Sequence, residues 1–517
     1  MQPKKTFLLQ PEWMAAILIT FAAIMLHFYY WIHVGGLWRD EVNLVNLAGR
    51  HSLVEMEKDS FPVLMPLAFH VWMAIGLGSN DVTLRLFGLL VGLGILAALW
   101  VSSWKIRRAP PLVGLVLLGL NSTAVFFGDS LRAYGLGSLF AVMLITSACL
   151  FVQKPGASRA LWFAVFAILS VQVLYHNVVL VAAVCFGTWA VCWRRKDSRA
   201  ALEVLLIAIL SAASLLPYAQ NLAAIAGTSS AIRTGVQLLR FFSSYRDTLG
   251  FPLTGYTYVW VALAVIIIVR AGIDLWRKPA EAANAPENDL SLFASVTLVL
   301  VAVGFPIFFW RAQMPMQSWY LLPFLASFAV CFDAALPVFR GLLRPAFFGF
   351  VTATALVSIV TTGRILNRHF SDVNLFAQAL TAAAGPQDYI IVSPWTCGIT
   401  FNHYFTGATP WDTLPPLSDH SVHRFDLFQL QTQNTNVLAP VFQKISRTLQ
   451  SGHDLWILKC PGASVDPYSR DWDSQTTHFI ATHSSNLKEF PNPSTEIYIT
   501  ESATLLMASG WTNSPAP

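Results

Sequence analysis

Asp40 and Glu41 stand side by side in Leu37-Trp38-Arg39-Asp40-Glu41, a few residues past the first strongly apolar stretch of the chain. Adjacent carboxylates at a membrane surface are costly to desolvate and are seldom kept there for packing alone. One such group can take the proton of an attacking hydroxyl, and a pair can hold Mg²⁺ or Mn²⁺. Arg132, in Asp129-Ser130-Leu131-Arg132-Ala133-Tyr134, brings a planar fork suited to two phosphate oxygens. Tyr134, His176 and Arg311 add a phenol, an imidazole and a second guanidinium near the ends of other apolar runs. Taken singly, each also has an ordinary reading as an aromatic-belt residue, a helix-end group or a snorkelling anchor.

The elements that must position these groups are membrane helices. Of the 517 residues, 55% are hydrophobic and 12% charged, and mean hydropathy is +0.55; soluble domains carry roughly 25% charged residues. A bilayer crossing needs about 20 apolar residues, and about eleven runs supply them. Their approximate limits are 12–32, 83–104, 111–128, 134–153, 160–175, 177–193, 201–217, 256–276, 291–310, 318–338 and 345–363. The first, from Met14 to Trp31, lacks a small-residue cleavage site, and Lys4 and Lys5 hold its start in the cytoplasm.

Phe61 to Gly78 is apolar as well, but Pro62 and Pro66 break its beginning. Leaving it as a juxtamembrane or re-entrant helix puts Lys105 to Arg108, Lys154 with Arg159, Arg194 to Lys196, Arg277-Lys278 and Arg340 with Arg344 all in the cytoplasm, as the positive-inside rule asks. The opposite face then collects Asp40, Glu41, Glu55, Glu57, Asp59, Asp129, Arg132, Tyr134, His176, Asn177, Arg311 and Gln313, and a cleft between helices is implied there. The expected architecture is a polytopic α-helical protein of the plasma (inner) membrane over residues 1–363, followed by an extracytoplasmic α/β domain over 364–517.

In that second region β-type runs occur at Asp388 to Val392 and Asp454 to Leu458, with a helix near Val441 to Leu449. From Ile365 onward there are 7 Lys/Arg and 12 Asp/Glu, so the basic excess lies in the membrane part. No basic, aromatic-interleaved patch suggests nucleic acid. Cys397 and Cys460 would be able to pair in an oxidising compartment, and the seven histidines of the tail, lacking ligand spacing, are expected at the surface.

These residues carry a resemblance. Trp38-Arg39-Asp40-Glu41 resembles the acidic pair of the polyprenyl-phosphate-sugar-dependent glycosyltransferases of the GT-C superfamily, the protein mannosyltransferase and lipid A aminoarabinose transferase type of glycosyltransferase family 39. In chain order, Phe61 to Leu64, Leu84-Arg85-Leu86, Asp129 to Tyr134, Tyr175-His176-Asn177 and Trp319 to Pro323 are similar to further elements of that family. The resemblance implies an inverting enzyme that moves a sugar from a polyprenyl-phosphate donor to a lipid, glycan or protein acceptor. In this scheme Asp40 is the catalytic base, and Glu41, orienting the acceptor or an arginine, binds substrate together with Arg132, Tyr134, His176 and Arg311. The resemblance assigns no fixed cofactor, since such enzymes often need none, and leaves a divalent metal, Mg or Mn, open. Phe61 and Trp319 depart from the family pattern, where cations are common, which shifts phosphate binding toward Arg311 or the loop arginines Arg233, Arg240 and Arg246. The competing reading is a secondary transporter or flippase; the gathering of charge at one mouth and the absence of repeated halves speak against it.

Overall fold

A computed structural model of the chain describes residues 10–57, 61–228, 238–276, 286–313, 316–336, 343–463 and 466–512. Lys4, Lys5, Asp59, Arg233, Arg277, Lys278 and Arg340 lie outside them. Among the described residues nine helices are long and apolar enough to cross a bilayer. Those used below are α1 (Pro11–His33), α2 (Arg39–Ala48, not a span), α3 (Asp81–Arg107), α4 (Ala133–Gln153), α5 (Asn177–Arg194), α6 (Pro286–Ala312), α7 (Leu322–Ala335, extended at its start by the turn Ser318–Leu321) and α8 (Leu343–Ile365).

Two of the eleven expected runs take other forms. The run at 160–175 is a 17-residue helix, Ala157–Val173. The run at 111–128 is interrupted: a short α turn and a π turn give way to a new helix at Ser122. Asn121 starts that helix, its Oδ1 accepting from the Thr123 and Ala124 N–H groups at 2.9 and 3.4 Å. The Asp333 carboxylate of α7 accepts from the Val113 and Gly114 N–H groups at 3.2 and 2.9 Å. Irregular backbone at membrane depth is tolerated where protein covers it, and Leu112 to Ser122 are all buried.

Phe61 to Gly78 forms a short apolar helix with a π turn, Leu64–Trp72 and Met73–Leu77. Met65, Pro66 and Phe69 face inward while Leu67, Val71 and Ile75 are exposed, the amphipathic pattern of an element lying along a surface.

The helix ends sort into two sets. At one end Arg194 and Arg195 bind Asp289, Arg195 also donates to Val152 O, Gln153 donates to Ile106 O at 2.9 Å, and Arg344 pairs with Glu12 at the start of α1. The basic groups of these clusters that are among the described residues therefore share that end. The C-terminus of α1 and the starts of α3, α4 and α5 meet at the other end, with α2.

The tail docks at the α2 end. Its five-stranded sheet has the order β3-β2-β4-β7-β5 (Trp411–Thr413, Tyr389–Ser393, Leu455–Lys459, Thr504–Trp511, Ser484–Phe490), and β1 (His369–Ser371) pairs with β6 (Tyr498–Glu501). The interior strand β2 runs parallel to both β3 and β4. It is buried over all five residues, as its unbroken apolar run Tyr389 to Val392 requires of a strand covered on both faces. The helix Ala439–Gln450 buries Val441, Ile445 and Leu449, four apart on one face. Cys397 and Cys460 are free, buried thiols.

Candidate functional site

The first turn of α2 carries both acids, a placement that the positive end of the helix dipole favours. Successive residues on a helix point about 100° apart, so adjacent carboxylates cannot share one direction. Glu41 points inward, with 0% of its side chain exposed, and Asp40 outward, with 21% exposed.

Glu41 is a buried tie-point. Its Oε2 accepts from Arg85 Nη2 at 2.5 Å and from the Trp38 N–H at 3.4 Å, and its Oε1 accepts from the Leu131 N–H at 3.0 Å. The same Arg85 nitrogen donates to Gly36 O at 2.8 Å. One carboxylate thus fixes the loop before α2, the start of α3 and the segment leading into α4. The sequence reading placed Glu41 among the substrate contacts; with no exposed surface it instead orients an arginine, Arg85, and positions the residues on either side.

Segment 128–132 can sit this close because α3 offers no side chain in its path. A Cβ at Gly88 would lie 1.8 Å from Asp129 O, and one at Gly92 would lie 2.2 Å from Asp129 Oδ1. Asp129 itself turns inward, 2.6 Å from His27 Nδ1 of α1.

Around Asp40 two guanidinium groups and an imidazole converge from three elements. Arg132 Nη2 stands 3.6 Å from Oδ2 while Nη1 donates to the Asp40 carbonyl at 3.2 Å. Arg39 Nε is 3.8 Å from Oδ1, and His423 Nε2 is 3.1 Å from the same oxygen. Burial pushes the Asp40 carboxyl upward, but Arg132, His423 and Arg39 together outweigh it and hold the group well below the usual carboxylate range. It is therefore ionised wherever a membrane enzyme would work. The Arg132 guanidinium also lies over the Phe61 ring at 4.5 Å. The Phe61 ring is thus a platform for the arginine.

No family model matches the chain, and no curated protein does. Solved structures do resemble it. The crystal structure of ArnT from Cupriavidus metallidurans bound to undecaprenyl phosphate superposes with a TM-score of 0.39 at 12% identity, over 95% of this chain and 97% of that one. The Archaeoglobus fulgidus oligosaccharyltransferase, tethered to an acceptor peptide containing the NVT sequon, superposes with a TM-score of 0.51 at 10% identity, over 96% of this chain and 75% of that one. The chain has the GT-C fold.

Within this fold, whose helices are those of a multi-pass membrane protein, the remaining expected residues divide. Tyr134 is buried beside Asp40's partners, its ring 5.6 Å from Phe61 and 5.7 Å from Tyr320. His176 is buried one step further away, against Phe309 at 5.6 Å and Tyr320 at 6.1 Å. An aromatic row, Phe61, Tyr134 and Tyr320, therefore leads from Arg132 to His176. Arg311 does not join them. It is exposed in the last turn of α6, and among the described residues no contact links it to Asp40. The helical repeat explains this, since Phe305 and Phe309 take the inward face and Trp310 and Arg311 the outward one. Arg246 pairs with neighbouring Asp247 in an exposed position, and the side chain of Arg240 is not among those described. Trp319 stacks on Phe127 at 4.3 Å. Among the described residues no three His, Cys, Asp or Glu side chains converge as a metal site, and Asp40 and Glu41 diverge.

The tail contributes what the linear reading missed. Tyr404 OH accepts from the Leu37 N–H at 2.7 Å and donates to Asp81 Oδ2 at 2.5 Å, clamping the loop before α2 to the start of α3. Glu501 of β6 is buried beneath Arg39, with Oε1 3.8 Å from Nη1, and its Oε2 accepts from Thr400 at 2.9 Å. Nothing in the spacing of these residues points to Asp40.

Burial pushes the Glu501 carboxyl up to about 7 against the pull of Arg39. Because the folded-state value exceeds the ordinary 4.5, the unfolded chain loses its proton first as pH rises. Stability should therefore fall between pH 4.5 and about 7 and level off above. Thermal unfolding of detergent-solubilised protein across pH 5–8 should show this slope in the wild type and a flatter profile in Glu501→Gln. Equal slopes in the two proteins would remove Glu501 as the titrating group.

Proposed function

We propose that the protein is an inverting glycosyltransferase that moves a sugar from a polyprenyl-phosphate donor to a hydroxyl-bearing lipid, glycan or protein acceptor on the extracytoplasmic side of the membrane. The observation that supports this most is the geometry at Asp40: of the two acids it alone reaches the surface, and guanidinium groups flank it. In the proposed step the acceptor oxygen attacks the anomeric carbon opposite the phosphate. Its O–H proton passes to Asp40, and the bond from carbon to phosphate oxygen breaks with its electron pair left on the phosphate. Phosphate departs as a stable anion, so the reaction needs no general acid, unlike two-carboxylate glycoside hydrolysis. Arg132 and Arg39 supply positive charge where the leaving group gains negative charge. The apolar flanks of the helices suit the carrier's polyprenyl chain.

Basicity is not an obstacle. A hydroxyl becomes strongly acidic as its oxygen bonds to carbon, so a weakly basic but permanently ionised carboxylate can take the proton late in the step.

The test is transfer by purified protein in nanodiscs, given the polyprenyl-phosphate-linked sugars extracted from cell membranes together with an envelope lipid and glycan fraction. Expected are release of free polyprenyl phosphate and a product whose anomeric configuration is opposite to the donor's. Retained configuration, or substrate counterflow with no bond cleavage, would overturn the reading, the latter in favour of a transporter. Parallel reactions with EDTA report whether Mg or Mn takes part.

A further inference from the structure

The tail lays residues 419–424 across α2, and the contacts there are specific. Asn43 Oδ1 accepts the His423 N–H at 2.9 Å, Asn46 Nδ2 donates to Ser421 O at 2.5 Å, and Arg50 Nη2 donates to Ser421 Oγ at 2.9 Å. Positions 43 and 46 follow the spacing of one helix face and Arg50 lies just past the end of α2, so α2 and the residues that follow it offer the tail a polar stripe alongside Asp40. Asp419 stiffens the segment from within, accepting from Ser421 Oγ at 2.6 Å and from Arg424 at 2.8 Å.

This scaffold leaves the His423 ring little freedom. It stacks on Phe425 at 5.4 Å with 8° between the planes and meets Trp395 edge-on at 6.2 Å. Nδ1 is buried without a partner among the described residues, while Nε2 is aimed at Asp40 Oδ1 at 3.1 Å. An ionised carboxylate can only accept, so Nε2 carries the hydrogen in this contact.

We propose that His423 is a positioning residue for the reaction, and that the tail completes the catalytic site through it. Its Nε2–H and the Arg132 guanidinium hold opposite oxygens of Asp40 and thereby fix the plane of the carboxylate. The lone pairs not engaged by these partners then face the acceptor. The tail thus acts on the chemistry as well as covering the site: undocking residues 419–424 would release one oxygen of the base. This inference rests on the reading of Asp40 as the base, and it adds the source of that base's orientation.

Two substitutions separate hydrogen bonding from packing. His423→Phe keeps a flat ring to stack on Phe425 and removes the N–H; His423→Gln loses the ring and keeps an N–H donor of similar reach. With the same extracted polyprenyl-phosphate sugars, the Phe variant should lose about 10²-fold in kcat, the scale on which correct placement of a base counts, with donor KM little changed. The Gln variant should recover much of that loss. The reverse order, Phe active and Gln inactive, would make His423 a packing residue and overturn the proposal.

A second measurement needs no sugar donor. Water-soluble carbodiimide with glycine ethyl ester labels accessible carboxyls, and peptide mass spectrometry reads the label at Asp40. Labelling should rise several-fold in His423→Phe and stay near wild type in His423→Gln. Identical labelling in all three proteins would overturn the proposal whatever the enzyme's activity. A wild type that turns over no lipid-linked sugar would refute the functional reading alone.

Discussion

Asp40→Asn is expected to reduce sugar transfer by about 10³-fold, within the range that a positioned general base contributes. The amide keeps the size and planarity of the carboxylate, so the site should assemble. What it lacks is a lone pair basic enough to take a hydroxyl proton, and the negative charge that Arg132, Arg39 and His423 now surround. Removing that charge leaves the guanidinium groups with more potential to spend on the donor phosphate, so donor KM should stay level or fall. The loss then appears in kcat, the signature of an interaction made in the transition state. Single-turnover transfer with radiolabelled donor is the measurement, and turnover within tenfold of wild type would remove Asp40 as the base. The variant should also be somewhat less stable at neutral pH. A carboxyl held below its ordinary value contributes stability above about pH 4, and loses it only as pH falls through its folded-state value. The direction of the Asp40 shift puts that loss below the working range, so no acidic limb from Asp40 should appear between pH 5 and 8.

Arg85→Met should have the largest effect on stability. It removes the partner of a carboxylate that has no exposed surface and leaves the charge stranded. Breaking a buried ion pair from one side costs about 3–5 kcal/mol, enough to strip a membrane protein of most of its folded yield. Glu41→Gln should be milder, since the amide keeps an acceptor for the Leu131 N–H. The double variant Glu41→Gln, Arg85→Met should recover much of the loss, because neither group is then left charged. Thermal unfolding followed by fluorescence-detected size exclusion compares the four proteins. Equal midpoints for Arg85→Met and wild type would show that this pair does not hold the site together. Surviving Arg85→Met protein should also be slow in transfer, because Glu41 fixes the backbone of Trp38 and Leu131, the residues that precede Arg39 and Arg132.

Much was legible in the sequence because hydrophobic partition is a local property. Whether a run of residues prefers lipid depends on its own side chains, so α1, α3, α4 and α5 lie close to where their apolar runs lie, and the described basic groups gather at one end. The same logic exposed β2 and β4 as strands and placed the acid pair just past α1. It failed at 111–128, where composition describes a span but Asn121 offers the backbone a competing start. The fate of individual side chains depended on packing between distant elements. Helical geometry demands that Asp40 and Glu41 diverge, yet which of them faces outward was decided by Arg85 of α3 and the segment before α4. Arg311 turned outward because two phenylalanines of α6 claimed the inner face. His423, 383 residues from Asp40, carries no local mark of its role, since a hydrogen bond between elements arises only when the summed packing of the whole molecule brings donor and acceptor within reach.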